Sequence, residues 1–327
     1  MGIKILVPTF QIFKGVIKLL NQVKNELNDY RERFIELSDY ILNNPELGGE
    51  EIKACQAHVD LLKKNNFEVE KGYLDIATAF KAEYDSKKDG PTIAYMAEYD
   101  ALPDIGHGCG HNLIGTISTG AGIILSKFIS ELGGKIVVFG TPAEETNGAK
   151  VEMVDKGAFD DVDIAMMAHP SSDYYKSGTS LAMEAVQFSF QGKSAHAAAS
   201  PEKGINALDA VINTFNNINS LREHIKSDAR IHGIINEGGK APNVVPEFAE
   251  ARFYIRAPKK EYLEELSEKV KNCARGASLA AGTDLSISNF EASFDNLITN
   301  KVLSDTFNKR IKDMGVEEIK DKREGTG

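Results

Sequence analysis

Gly106-His107-Gly108-Cys109-Gly110-His111-Asn112 is the stretch on which the reading of this chain turns. It comes just after Thr92–Tyr99, which has the composition of a buried strand, and it opens a helical pattern from His111 to Leu132. Two further clusters repeat the placement. Pro142-Ala143-Glu144-Glu145 lies just past the strand-like run Lys135–Gly140, and His169-Pro170 immediately past Ile164–Ala168. Helices alternating with short apolar strands predict a layered α/β domain with a largely parallel sheet. In such a sheet, ligands gather beyond the carboxyl ends of the strands, so three strand ends can deliver all these groups to one place. Thiolate, imidazole and carboxylate are the side chains that bind divalent metals such as zinc. One carboxylate beyond the ligand count is what a metal-assisted hydrolase needs as general base. The glycines at 106, 108 and 110 let the backbone take a tight path around the Cys-His pair.

Upstream, Phe13–Leu42 carries apolar residues at helical spacing until Asn44-Pro45 stops it, and a second helix spans about Glu50–Asn66. Strands are predicted at Ala77–Tyr84 and Thr92–Tyr99, separated by the turn Lys87–Pro91, and a short helix near Lys150–Lys156. After Ser180 the pattern changes. Strand-like Met183–Phe190, Ile231–Asn236, Ala249–Arg256 and Leu285–Phe290 are interleaved with the helical runs Gly204–His224 and Glu261–Ala280. This β-α-β-β-α-β order predicts a ferredoxin-like unit. Its amphipathic strands imply one sheet face under the helices and one left free for a lid or dimer contact. A last helix is expected at Lys301–Met314. The ending Lys322–Gly327, with no packed element after it, reads as a chain cut in mid-domain.

Composition narrows the class. With 38 basic and 48 acidic residues the formal net charge of the 327-residue chain is −10, which argues against nucleic acid or an anionic membrane as the main partner. Three widely spaced cysteines form no disulfide framework and no CxxC pair, pointing to a reducing cytoplasm. No apolar run reaches membrane-spanning length. Lys14 and Lys18 interrupt the apolar Met1–Leu20, and no small-residue cleavage site follows, so it reads as the start of an amphipathic helix with a few poorly ordered leading residues.

Taken singly, each candidate has an ordinary structural reading. Cys55, Cys273, His58, His224 and His232 keep that reading, since lone cysteines and histidines usually pack or sit at a surface. A Glu-Glu pair alone is most often solvated. The glycine-rich loop is neither GxGxxG nor a P-loop, because no Lys-Ser/Thr follows. Coincidence of the three clusters at matching strand ends is what favours a metal site.

At these residues the sequence resembles the aminoacylase and glutamate-carboxypeptidase family of dinuclear metallohydrolases. Ala97–Pro103 and Gly106–Leu113 are most similar to the branch of aminobenzoyl-glutamate hydrolases, β-alanyl dipeptidases and amino-acid conjugate amidohydrolases, and Pro142–Glu145 with Ser194-Ala195-His196-Ala197 add to it. The resemblance runs from about Leu37 to the C-terminus. It implies a zinc-peptidase-like α/β catalytic domain (1–181 and 295–327) interrupted by a ferredoxin-like lid and dimerisation domain (182–294). Carried over, Cys109 bridges two metals, and His111, Glu145 and His169 are terminal ligands. Glu144 is the general base. Many family members have His where this chain has Glu98. His111 supplies that imidazole, Glu98 is not counted as a ligand, and Asp100 orients a ligand ring. In the lid, His196 matches a histidine that reaches a neighbouring subunit's site and steadies the carbonyl oxygen, while Asn243 and Arg256 match positions that hold a substrate carboxylate. Their ordinary readings are a strand-end His, a turn Asn and a solvated Arg. The family's last ligand is a His near the end of the returning segment, and this chain stops before it.

The expected activity is therefore metal-dependent hydrolysis of an amide or peptide bond in a small substrate with a free carboxylate: a dipeptide, an N-acyl amino acid or aminobenzoyl-glutamate. Two divalent cations are expected, zinc or alternatively manganese, in a homodimer or higher homo-oligomer. Two rival readings stand beside it. One is a cysteine hydrolase with Cys109 as nucleophile and His169 as base. The other is a non-catalytic binding protein on the same fold.

Overall fold

In the computed structural model, which describes residues 6–321, the long helical pattern at the start forms α1 (Leu6–Leu42). The expectations for the leading residues 1–5 and for the ending Lys322–Gly327 lie outside the described residues. The chain divides into two compact units between Pro170 and Ser171. The first continues with α2 (Ile52–Lys64), β1 (Glu68–Lys71), β2 (Phe80–Asp85), β3 (Thr92–Ala97), α3 (His111–Ser126), α4 (Ile129–Leu132), β4 (Lys135–Gly140), α5 (Ala149–Asp155) and β5 (Ile164–Met166).

Its sheet runs β1-β2-β4-β3-β5. β3 is parallel to β4 and β5, while β2 is antiparallel to both β4 and β1, so β2 alone opposes the common direction. The alternation of a strand explains the unbroken apolar run of β4. Ile136 and Val138 face a core with Leu37, Ile41, Val59, Leu62 and Ile123 from α1, α2 and α3. Val137 and Phe139 face Met153 of α5 on the other side. The register then sets the site. Ala97 of β3 lies opposite Gly140 of β4, so the segments leaving both strands depart at one level.

The second unit holds β6 (Ala182–Gln191), α6 (Ala207–Leu221), β7 (Arg230–Glu237), β8 (Phe248–Ala257), α7 (Lys260–Ala281), β9 (Asp284–Asn289) and α8 (Lys301–Asp313). The sheet is antiparallel throughout, in the order β7-β8-β6-β9, which is the ferredoxin-like arrangement. Val186, Phe188 and Phe190 of β6 and Ala251, Phe253 and Ile255 of β8 pack under Val211 and Ile218 of α6 and Leu266 and Val270 of α7. The alternate positions carry a polar set: Arg252 donates to Gln187 at 2.8 Å and Asn236 to Glu250 at 2.7 Å. Residues flanking this sheet pair with each other, since Tyr175 and Lys320 form a parallel bridge. Among the described residues, no helix is long and apolar enough to cross a membrane.

Candidate metal centre

His111 is the first residue of α3, and Gly110 before it has φ +80°. A Cβ on Gly110 would lie 2.6 Å from Cγ of Pro170. Both the left-handed backbone and the close approach require glycine. The result seats the His169-Pro170 segment against the Cys109–His111 turn.

His111 is 1% exposed. Its Nδ1 sits 2.9 Å from Oδ1 of Asp100, and Oδ2 of Asp100 accepts the backbone N–H of Glu145 at 2.9 Å. A carboxylate on Nδ1 places the ring proton there and leaves Nε2 as an electron-pair donor. Around Nε2 stand Glu98 and Glu145, each with an oxygen at 3.6 Å, and Glu144 at 3.9 Å. One ligand atom each from Cys109, His111 and Glu145 falls within 4.8 Å of the others. Thiol, imidazole and carboxylate thus converge as a mixed donor set suited to a borderline-soft divalent cation.

The charge balance points the same way. Glu98, Asp100, Glu144 and Glu145 share this small volume, and Lys150, at the start of α5, forms an ion pair with the buried Glu98. Burial raises the Glu144 carboxyl above its ordinary range, with Glu98 and Glu145 adding to the effect. Burial also works against Asp100, but hydrogen bonds from His111 and from the Glu145 N–H outweigh it and hold its pKa below the usual value. Burial opposes protonation of His111, yet Asp100 and the neighbouring carboxylates raise its pKa. The Cys109 thiol donates to Glu145, and this bond, with burial and the surrounding carboxylates, pushes it up to about 11. Acidic groups packed this closely repel one another unless a cation joins them.

Three expected ligands therefore come together, with Glu144 beside them and Asp100 behind the imidazole. His169 stands off from that tight group. Its ring centre is 6.3 Å from that of His111, edge-on, and its Nδ1 faces the carbonyl of Pro170 at 2.8 Å. Lys150 was missed in the sequence, where a lysine at the start of a helix carries no signal of a buried partner.

His196, Asn243 and Arg256 belong to the second unit. There His196 pairs with Val244, and the N–H of Ala197 donates to the carbonyl of Asn243 at 3.0 Å, so two of the three are neighbours. Nδ1 of His196 accepts the N–H groups of Ala198 and Ala199 at 3.3 and 3.2 Å. Arg256 lies on β8 with its guanidinium 5.6 Å from the Tyr254 ring centre, and its buried Nε has no partner among the described residues.

Comparison with known proteins identifies the kinship of the chain. Residues 182–280 match the family model of the peptidase dimerisation domain. The chain is 36% identical over 318 residues to Xaa-Arg dipeptidase of Mus musculus, covering 92% of this chain and 73% of that protein. It is 34% identical over 309 residues to one of the subunits of p-aminobenzoyl-glutamate hydrolase from Escherichia coli, covering 88% and 64%. Among solved structures, an aminobenzoyl-glutamate utilization protein from Klebsiella pneumoniae superposes with a TM-score of 0.75 at 18% identity, over 94% of this chain and 87% of that one. A dinuclear metal-binding peptidase of the M20 family from Bacillus subtilis gives 0.67 at 19% identity, over 92% and 84%. At these identities the structures attest the fold, while the sequence relatives attest the kinship. The chain belongs to the M20 family of metal-dependent peptide and amide hydrolases.

Proposed function

We propose that Cys109, His111, Glu145 and His169 would hold two divalent cations, zinc in first place and manganese as the alternative. The observation that carries this reading is the convergence of the Cys109, His111 and Glu145 donor atoms beside a carboxylate that none of them needs. Bound there, the cations would bring the pKa of a shared water toward ~7 and polarise the scissile carbonyl. Glu144 then takes the proton of the attacking water and returns it to the leaving amine. Its raised pKa suits both halves of that exchange.

His196 steadies the developing oxyanion. Two backbone N–H groups point at its Nδ1, so its proton resides on Nε2, the donor such a role requires. Arg256, near the end of β8, and Asn243, ahead of its start, are the candidate donors to a substrate carboxylate, and the buried Nε of Arg256 has no partner among the described residues. Substrates are accordingly small amides with a free carboxylate: a dipeptide such as an Xaa-Arg, an N-acyl amino acid, or aminobenzoyl-glutamate. The domain assignment is part of the same reading, with a catalytic domain of 1–181 and 295–327 and a lid of 182–294 that pairs two chains into a homodimer. Free Cys55, Cys109 and Cys273 suit a cytoplasmic setting.

A cysteine hydrolase is disfavoured because its base would be His169, whose Nδ1 is turned to the Pro170 carbonyl at 2.8 Å, and because it leaves the Glu144-Glu145 pair without a role. The test compares reagents on zinc-loaded protein assayed with alanyl-arginine and aminobenzoyl-glutamate. Loss of turnover to a chelator with resistance to a thiol reagent supports the metal reading, and the reverse pattern overturns it.

A further inference from the structure

The turn that presents Glu144 and Glu145 is held in a conformation its own residue disfavours. Ala143, buried, has φ +58°, the left-handed region that a Cβ opposes. Its N–H donates to Oε1 of Glu51 at 2.7 Å, and its carbonyl accepts the N–H of Gly148 at 2.7 Å. Glu51 is fully buried, and its other oxygen accepts the hydroxyl of Thr78 at 2.9 Å. Thr78 is anchored in turn, since its carbonyl accepts the Tyr99 hydroxyl at 2.6 Å.

Helix capping does not account for Glu51. It occupies the N-cap position of α2 but makes no capping bond, because Glu46 accepts the N–H groups of Lys53 and Ala54 at 2.9 and 3.0 Å instead. A buried carboxylate is costly, and this one is offset by N–H groups of Gly49, Glu51 and Ala143 and by the Thr78 hydroxyl, so it ties the loop before α2 to the Ala143 turn. The same loop meets the turn a second time. A Cβ on Gly48 would lie 2.5 Å from Oγ1 of Thr146 and 3.1 Å from Cα of Ala143.

We propose that Glu51 is a positioning residue for the general base: its carboxylate holds Ala143 left-handed and so fixes the direction in which Glu144 leaves the turn. With Asp100 on the N–H of Glu145, the backbone is gripped on both sides of Glu144. This inference rests on the reading of Glu144 as base.

The test uses the full zinc-loaded chain and alanyl-arginine. Glu51→Ala should lower kcat by roughly 100-fold, the scale of a small displacement of a reacting group, with KM and zinc content unchanged. Glu51→Gln keeps an oxygen for the Ala143 N–H and should rescue most of that loss. Adding Ala143→Gly to Glu51→Ala should also recover part of kcat, because glycine takes positive φ without penalty. A merely structural Glu51 would lower Tm and leave kcat per zinc-loaded molecule intact, which overturns the proposal. So does a kcat loss that neither Glu51→Gln nor Ala143→Gly relieves. Should Glu51→Ala not fold, Gly48→Ala presses on the same turn from its other side, and an unchanged kcat there is equally fatal. Glu144→Gln is run in parallel. If it stays active, the base assignment itself falls. If it is inactive while the Glu51 and Gly48 variants turn over normally, only the positioning role falls.

Discussion

Oδ1 of Asp100 lies 2.9 Å from Nδ1 of His111, and both side chains are buried. This contact, more than the position of the imidazole, decides what His111 can do, because it selects the tautomer and aims Nε2 at the carboxylates opposite. Asp100→Asn weakens the acceptor and permits a flipped amide to donate. Metal affinity should fall about 10- to 100-fold, the range for loss of a partner behind a ligand. Competition with a chromophoric chelator measures it, and unchanged affinity would remove Asp100 from the site.

Glu144 and Glu145 are adjacent yet should fail in different ways. Glu144→Gln should retain zinc and substrate binding while turning over about 10²- to 10⁴-fold more slowly. Glu145→Ala and Cys109→Ala should instead lose zinc along with activity. Elemental analysis of the three variants separates base from ligands. Equal metal loss in all three would cancel the base assignment.

The His196 role can be read in mixed dimers in which one subunit carries His196→Ala and the other Glu144→Gln. If His196 serves the neighbouring chain, one site per heterodimer keeps both groups, and up to half of the wild-type activity returns. Confirmed heterodimers that stay inactive would confine His196 to its own chain.

His58 predicts a pH dependence of stability. It is fully buried, with Nδ1 on the Thr119 hydroxyl at 2.8 Å and its ring beside Phe80 and Tyr99. Burial pushes its pKa down to about 3 from an ordinary 6.5. Between those limits the unfolded chain binds a proton that the folded chain refuses. Stability from this group is therefore complete above pH 6.5 and falls by about 1.4 kcal/mol per pH unit below it. Urea midpoints of wild type and His58→Gln from pH 7 to 5 provide the check. The variant should decline less steeply, and parallel declines would refute the assignment.

Much of this molecule was legible in its sequence because burial on both sides of a sheet leaves uninterrupted apolar runs. Lys135–Gly140 and Ile164–Ala168 announced strands, and the ligand-bearing turns followed them directly. β1 was not foreseen. Glu68-Val69-Glu70-Lys71 is short, edge-placed and charged, and its pairing with β2 comes from the neighbour rather than from its own pattern. The predicted helix from His111 to Leu132 is broken after Ser126 into α3 and α4, although its composition stays apolar. Glu51 and Lys150 were invisible for a related reason. A carboxylate or an ammonium at a helix start looks solvated, and only tertiary packing shows that one serves a strained turn and the other a buried glutamate.

Met183 and Phe294 exchange both backbone hydrogen bonds, at 2.8 and 2.9 Å. The chain thus enters and leaves the ferredoxin-like unit through a single antiparallel pair, whose Cα atoms in such pairings stand about 5.5 Å apart. To the polypeptide on either side, everything between these two residues spans no more than a tight turn would. The unit also brings its own apolar core, and the five described strands of the β1-β2-β4-β3-β5 sheet all precede it. That topology makes the stretch exchangeable: a related module with the same paired ends could be grafted in its place, or a short hairpin could close the gap, without rethreading any of those five strands.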